Sequence, residues 1–213
     1  MGAQLPDLSR PEFGRRLRAS VGEELSDHLP ERACAALWEH YRELRRWNPR
    51  LSLVGPGTAE RAVERHYGEA LAALPLLAAA ATLLDVGSGA GFPGLVLAAV
   101  RPELAVTLVE SRERKWAFLQ AAARRAGLSC RCLNARVDAA FDPGPMDLVT
   151  WRGIHLPAET RAALAARAGR VLVWSGAAEP APPDGWRGAR RVALAGSERR
   201  RIVEWVPREE LTG

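Results

Sequence analysis

Leu84-Asp85-Val86-Gly87-Ser88-Gly89-Ala90-Gly91-Phe92-Pro93-Gly94 is the stretch on which the fold turns. A short apolar run, 82–86, reads as a strand that enters a glycine loop, and Pro93 stands where a helix begins, a position that tolerates its missing N–H. Gly87, Gly89, Gly91 and Gly94 fall within eight residues, a cost in chain entropy that makes sense where backbone must approach a ligand. Taken literally, Gly89, Gly91 and Gly94 also satisfy the G-x-G-x-x-G dinucleotide fingerprint, with Glu110 near the distance expected for a ribose carboxylate. Asp85 argues the other way. A carboxylate just before the first glycine repels a pyrophosphate but suits an ammonium and tolerates a sulfonium.

Downstream the texture alternates. Strands are expected at 105–110, 129–133, 147–151 and 170–174, with helices at 114–126 and 157–168, stopped by Gly127 and Gly169. A Pro/Gly-rich loop, 177–188, precedes strands at 190–194 and 201–206 that turn at Ala195-Gly196-Ser197. Such alternation predicts an α/β, doubly wound, mainly parallel sheet. Upstream the pattern is helical. Cys34, Leu37, Trp38, Tyr41, Leu44 and Trp47 recur at three- and four-residue steps, Asn48-Pro49 is expected to end that helix, and 51–54 is a short apolar stretch. Thr58 is placed to cap a further helix reaching about Leu74. The division expected is therefore a helical N-terminal extension, 1–78, on a domain spanning 79–213, the two forming one compact unit.

Composition narrows the classes. The chain has 213 residues and a net charge of +5, which suits a polyanionic partner. Residues 151–213 carry eleven Arg against seven Asp or Glu, and Lys115 is the lone lysine, so the basic side chains are forks suited to phosphate and guanine edges. Biased codon use would also give abundant Arg and Ala. No apolar run has membrane-spanning length and no export signal is visible, so a cytoplasmic protein is expected. Cys34, Cys130 and Cys132 are too few for a disulfide framework or a zinc quartet, and no metal is expected. The Cys130 and Cys132 thiols share one side of a strand and read as buried packing.

The D-x-G-x-G-x-G run at Asp85–Gly91 resembles motif I of class I, Rossmann-like S-adenosylmethionine-dependent methyltransferases. The longer run through Phe92-Pro93-Gly94-Leu95, then Val109-Glu110-Ser111-Arg112, Lys115 and Phe118-Leu119, is similar to the RsmG (GidB) family. The likeness extends to Trp47-Asn48, Arg65-His66, Arg136-Val137, Asp147-Leu148-Val149, Arg152 and Glu198-Arg199, about three quarters of the chain in order. The substrate half departs from the family. Tyr67-Gly68-Glu69 replaces leucine-aspartate-serine, Trp151-Arg152-Gly153 replaces serine-arginine-alanine, Ser175-Gly176 replaces lysine-glycine, and Arg200 stands for histidine.

This resemblance implies S-adenosyl-L-methionine as cofactor, methylation of N7 of a guanosine in 16S rRNA, the small ribosomal subunit as partner, and functional arginines at Arg136, Arg152 and Arg199. Cofactor contacts are expected at Asp85, Gly87, Ser88, Gly89, Phe92, Glu110, Val137, Asp138 and Arg152, with Glu110 on the ribose and Asp138 at the adenine amine. A monomer is expected. Absences agree with the target. Pyrimidine C5 methylation needs a cysteine nucleophile that the fourth strand lacks, and amine methylation uses an Asn/Asp-Pro-Pro-aromatic loop where this chain has Thr150-Trp151-Arg152-Gly153. Guanine N7 carries a lone pair and no proton, so it needs no base. The altered substrate half leaves two alternatives: a methyltransferase for a small molecule or protein, or a non-catalytic, ribosome-associated cofactor-binding module. Trp151 reads as core, His66 and His155 as structural or exposed, and Arg199-Arg200-Arg201 as a solvated turn.

Overall fold

A computed structural model describes residues 2–77 and 79–208, so Ala78, at the expected boundary, and 209–213 lie outside the described residues. Among the described residues seven strands form one sheet in the order β3-β2-β1-β4-β5-β7-β6. They are β1 (Thr82–Val86), β2 (Ala105–Glu110), β3 (Cys130–Asn134), β4 (Met146–Arg152), β5 (Ala168–Ser175), β6 (Trp186–Ala193) and β7 (Arg201–Pro207). The first five run parallel, and β7 and β6 close the edge antiparallel. Strand order reverses between β1 and β4, so the crevice at their carboxyl ends is where such a sheet takes a ligand.

The helices are α1 (Arg10–Ala19), α2 (Glu23–His28), α3 (Glu31–Leu51), α4 (Pro56–Ala59), α5 (Glu69–Leu71), α6 (Gly94–Val100), α7 (Glu113–Arg125) and α8 (Ala158–Ala165). Alternation along β1 sorts the core into two faces. Leu83 joins the large cluster of Phe13, Leu37, Tyr41, Leu95 and Phe118, whereas Leu84 and Val86 join Val149, Leu164, Trp151 and Trp205 on the α8 side. The helix α3 packs against α1, α6 and α7, and its apolar stripe buries Leu37, Tyr41 and Leu44, with Tyr41 against Phe13 of α1 and Tyr67, each side chain worth about 1.5–3 kcal/mol.

Several boundaries differ from the sequence pattern. The helix α3 runs through Pro49 to Leu51 and ends on Ser52 in the left-handed region, at φ 49°. Asn48 holds that last turn. Its Nδ2 donates to the Ala3 and Val54 carbonyls and its Oδ1 accepts the Val54 N–H, which offsets the bond lost at proline. The short apolar stretch 51–54 is the end of α3 and the bend that follows it. The single helix expected from Thr58 is instead broken into α4, a π-helix over Val63–Gly68, α5, and a 3-10 turn over Leu74–Leu76. Gly169 does not stop α8 but lies inside β5, where a Cβ would sit 3.1 Å from the Asp147 carbonyl of the adjacent strand. Cys130 and Cys132 pack against the core but are only half-buried, because β3 is an edge strand.

Candidate active site

A cleft of about 710 Å³ opens at the carboxyl ends of β1, β2 and β4, within the size range of small-molecule sites. The glycine loop forms its floor. Gly87 has φ +68°, a left-handed conformation that favours glycine, and a Cβ there would also meet the end of the Ile154 side chain at 2.8 Å. Behind the loop, Asp85 is completely buried. Its carboxylate accepts the Gly94 N–H at 3.2 Å and the Thr150 hydroxyl at 2.9 Å, and it is not among the cleft walls. Burial lifts its pKa to about 6 against the pull of those hydrogen bonds. A Cβ on Gly94 would come within 2.8 Å of this carboxylate, which explains why the helix start needs glycine.

Glu110 ends β2 and lines the cleft. Its Oε2 accepts the Gly89 N–H at 3.1 Å and its Oε1 the Arg112 N–H at 2.8 Å, so the carboxylate is pinned with lone pairs to spare. Gly87, Ser88, Gly89, Phe92, Val137 and Arg136 also line the cleft, whereas Asp138 lies outside it with its carboxylate on the Ala140 N–H. Ser88 donates its hydroxyl to the Asp85 carbonyl.

The extension reaches the loop through a buried relay. Tyr67, on the π-helix, donates its hydroxyl to His40 Nδ1 at 2.8 Å, and His40 Nε2 donates to the Ala90 carbonyl at 2.9 Å. A carbonyl only accepts, so the His40 proton sits on Nε2. Complete burial depresses the His40 pKa to about 4, although the bond to Ala90 raises it. His66, one residue before Tyr67, enters the cleft wall and stacks on Phe92 with ring centroids 5.1 Å apart. Burial and then the charges of Arg152, Arg65 and Arg200 lower its pKa to about 3, so it is neutral.

Arg152 lines the cleft from the end of β4 but is held from behind. It donates to the Arg65 carbonyl at 2.6 Å, the His66 carbonyl at 3.4 Å and Glu69 Oε2 at 2.6 Å. Burial first, then the neighbouring Arg65, lower its pKa to about 10. Arg65 and Arg200 also pair with Glu69. The structure thus brings Arg152 and Arg136 to one cleft but leaves Arg199 exposed on the β6–β7 turn, outside it. Glu69 and Arg200 are not legible as site residues in the sequence, whereas His66, expected to be structural or exposed, stacks on Phe92 in the cleft wall. The Arg65-His66 pair was a signal, but only the π-helix turns it towards Phe92. Trp151 is core, edge-to-face with Trp205. Among the described residues no group of three or more His, Cys, Asp or Glu is placed to hold a metal, and no helix is long and apolar enough to cross a membrane.

Two solved structures share this fold at low identity. TrmN from Thermus thermophilus superposes with a TM-score of 0.54 at 22% identity, covering 67% of this chain and 49% of its own. The mitomycin 7-O-methyltransferase MmcR gives 0.57 at 18%, covering 96% of this chain and 74% of its own. The sheet with its glycine loop is accordingly a Rossmann-like α/β fold. Residues 33–179 match the GidB family, rRNA small subunit methyltransferase G, and the chain belongs to that family. Its relatives named ribosomal RNA small subunit methyltransferase G include that of Methylobacterium radiotolerans, 45% identical over 69% of this chain and 68% of the relative. That of Neisseria gonorrhoeae is 36% identical over 68% of each chain, and that of Myxococcus xanthus 46% over 45% of each. The aligned stretch therefore spans from under half to about two thirds of these relatives' own length.

Proposed function

We propose that this protein transfers a methyl group from S-adenosyl-L-methionine to N7 of a guanosine in 16S rRNA, acting in the cytoplasm as a monomer on the small ribosomal subunit. The observation that carries the reading is the cleft itself, where a carboxylate tied to the glycine loop faces a rim of cations, Arg112, Lys115, Arg136 and Arg152. The walls fit the cofactor. A pinned carboxylate suits ribose hydroxyls, and the apolar side chains of Ala135, Val137 and Val109 suit the faces of an adenine. When bound, the cofactor supplies an electrophilic methyl on a sulfonium centre. Glu110 would hold the ribose, Val137 and the Asp138 segment the adenine, and the backbone of Gly87, Ser88 and Gly89, with Phe92, the remainder. Asp85 serves this site from beneath by fixing the Gly94 N–H.

Guanine N7 has nothing to deprotonate, so the protein's task is orientation, which can supply roughly 7–11 kcal/mol. Arg152 is suited to fix the guanosine because its own position is fixed by Glu69 and two carbonyls. The neutral His66, stacked on Phe92 with its Nε2 hydrogen-bonded to the Thr58 hydroxyl, offers a flat wall that does not repel a sulfonium. Arg136 on the cleft rim and Arg199 on the exposed turn are available to phosphates. The extension, 1–78, acts with the 79–213 domain as one unit through His40. The test is transfer of labelled methyl to small subunits from a strain lacking the modification, followed by cleavage at N7-methylguanosine. A single labelled guanosine in 16S rRNA is expected, and no label from a chain that binds the cofactor would overturn the reading.

A further inference from the structure

Glu69 is 4% exposed and meets three guanidinium groups, those of Arg65 at 3.0 Å, Arg152 at 2.6 Å and Arg200. They arrive from the π-helix, from β4 and from the turn leading into β7. One carboxylate cannot balance three such charges. The other carboxylate that Arg152 feels, Asp85, is already engaged by Thr150 and Gly94. Burial first, and then neighbouring positive charge (Arg61 at Arg65, Arg65 at Arg152, Arg65 and Arg61 at Arg200), lowers the pKa of all three arginines. Excess charge in a half-dry site is costly unless a counter-ion completes it.

We propose that Arg65, Arg152 and Arg200, gathered round Glu69, form a phosphate site that holds one phosphodiester of the RNA substrate beside the cleft. The inference rests on the proposed RNA methyltransferase reading. Side chains of the three arginines remain 27%, 14% and 18% exposed, so each is held yet keeps an accessible edge. Guanidinium forks suit phosphate oxygens, and a carboxylate that fixes their planes makes the site preorganised. A carboxylate of the cofactor offers the same chemistry. The placement favours the RNA, because Arg152 lines the cleft whereas Arg65 and Arg200 do not. Arg61, whose Nη2 lies by the Gly196 turn, and the exposed Arg199 extend the positive approach on the outer side.

The test measures binding of unmodified small subunits to the full chain between about 50 and 200 mM salt, where each phosphate contact contributes about 0.7–0.9 to the log–log slope. Arg65→Gln and Arg200→Gln should each reduce the slope by about that amount, and the double variant should reduce it no further, because one phosphate is shared. Affinity for S-adenosylmethionine, titrated directly, should stay within about twofold of the wild type, since neither side chain lines the cleft. Arg65→Lys and Arg200→Lys keep the charge and serve where the Gln variants do not fold; they should retain the slope while binding weakens about tenfold. Unchanged slopes in the Gln variants, additive slopes in the double variant, or, for the Lys pair, unweakened binding would each overturn the site. Lost cofactor affinity with an unchanged slope would assign the arginines to the cofactor's carboxylate instead. A wild-type chain that neither binds nor methylates the subunit would overturn the functional reading itself, and this inference with it.

Discussion

His40 Nε2 donates its proton to the carbonyl of Ala90 at 2.9 Å, and this bond ties the long helix of the N-terminal extension to the glycine loop. The loop is thus held from both sides, by His40 at Ala90 and by Glu110 at Gly89. Complete burial keeps this donor neutral, and a proton forced onto it would place an uncompensated charge in the core, so the link is sensitive to acid.

The folded state refuses a proton on His40 until about pH 4, whereas the unfolded chain takes one near 6.5. Stability from this group is therefore complete above pH 6.5 and is lost as pH falls towards 4, by about 1.4 kcal/mol per unit. His66 acts in the same direction, while Asp85, with its raised pKa, acts in the opposite one between about 6 and 3.8. His40→Gln should be less stable than the wild type by about 1–2 kcal/mol at pH 7, with the gap closing by pH 5. Urea denaturation at the two pH values decides it, and a gap independent of pH would count against the relay.

Glu110→Gln replaces one of two acceptors by an amide donor that must face either the Gly89 or the Arg112 N–H. Cofactor affinity should fall at least about tenfold, or 1.4 kcal/mol, as read by isothermal titration. An unchanged affinity would remove this residue from the cofactor site.

Arg152→Ala should slow methyl transfer at least about 100-fold while leaving cofactor affinity within a few fold. It also frees Glu69 Oε2 and two carbonyls, although Arg65 and Arg200 still neutralise Glu69. A melting experiment should thus show a loss of about 2–3 kcal/mol, below that of a fully orphaned buried charge. Equal loss of transfer and cofactor binding would place this arginine on the cofactor.

Gly94→Ala would set a Cβ 2.3 Å from Leu108 Cδ2 and 2.8 Å from Asp85 Oδ2. Overpacking here should cost about 1–3 kcal/mol and weaken cofactor binding, because the N–H that Asp85 holds must move. Gly57→Ala, with nothing within 4 Å, serves as the control and should be neutral or stabilising by up to about 1 kcal/mol. Thermal melts of the two variants side by side test the contrast.

The sequence by itself determined the sheet and its loop. Strand, glycine turn and helix are local in sequence, so the period of the apolar residues from Thr82 to Val206 and the spacing of Gly87 to Gly94 place β1 to β7 and the Glu110 carboxylate to within a few residues. It also carried the family likeness, over residues 33–179. Only the tertiary structure decided that Asp85 supports the loop from below, that Pro49 stays within a helix, and that a π-helix turns His66 into the cleft. The same holds for Glu69, which meets Arg152 and Arg200 across 83 and 131 positions of the chain. Local propensity cannot report such contacts, because their free energy comes from burial and from charges that approach one another only after the sheet has formed.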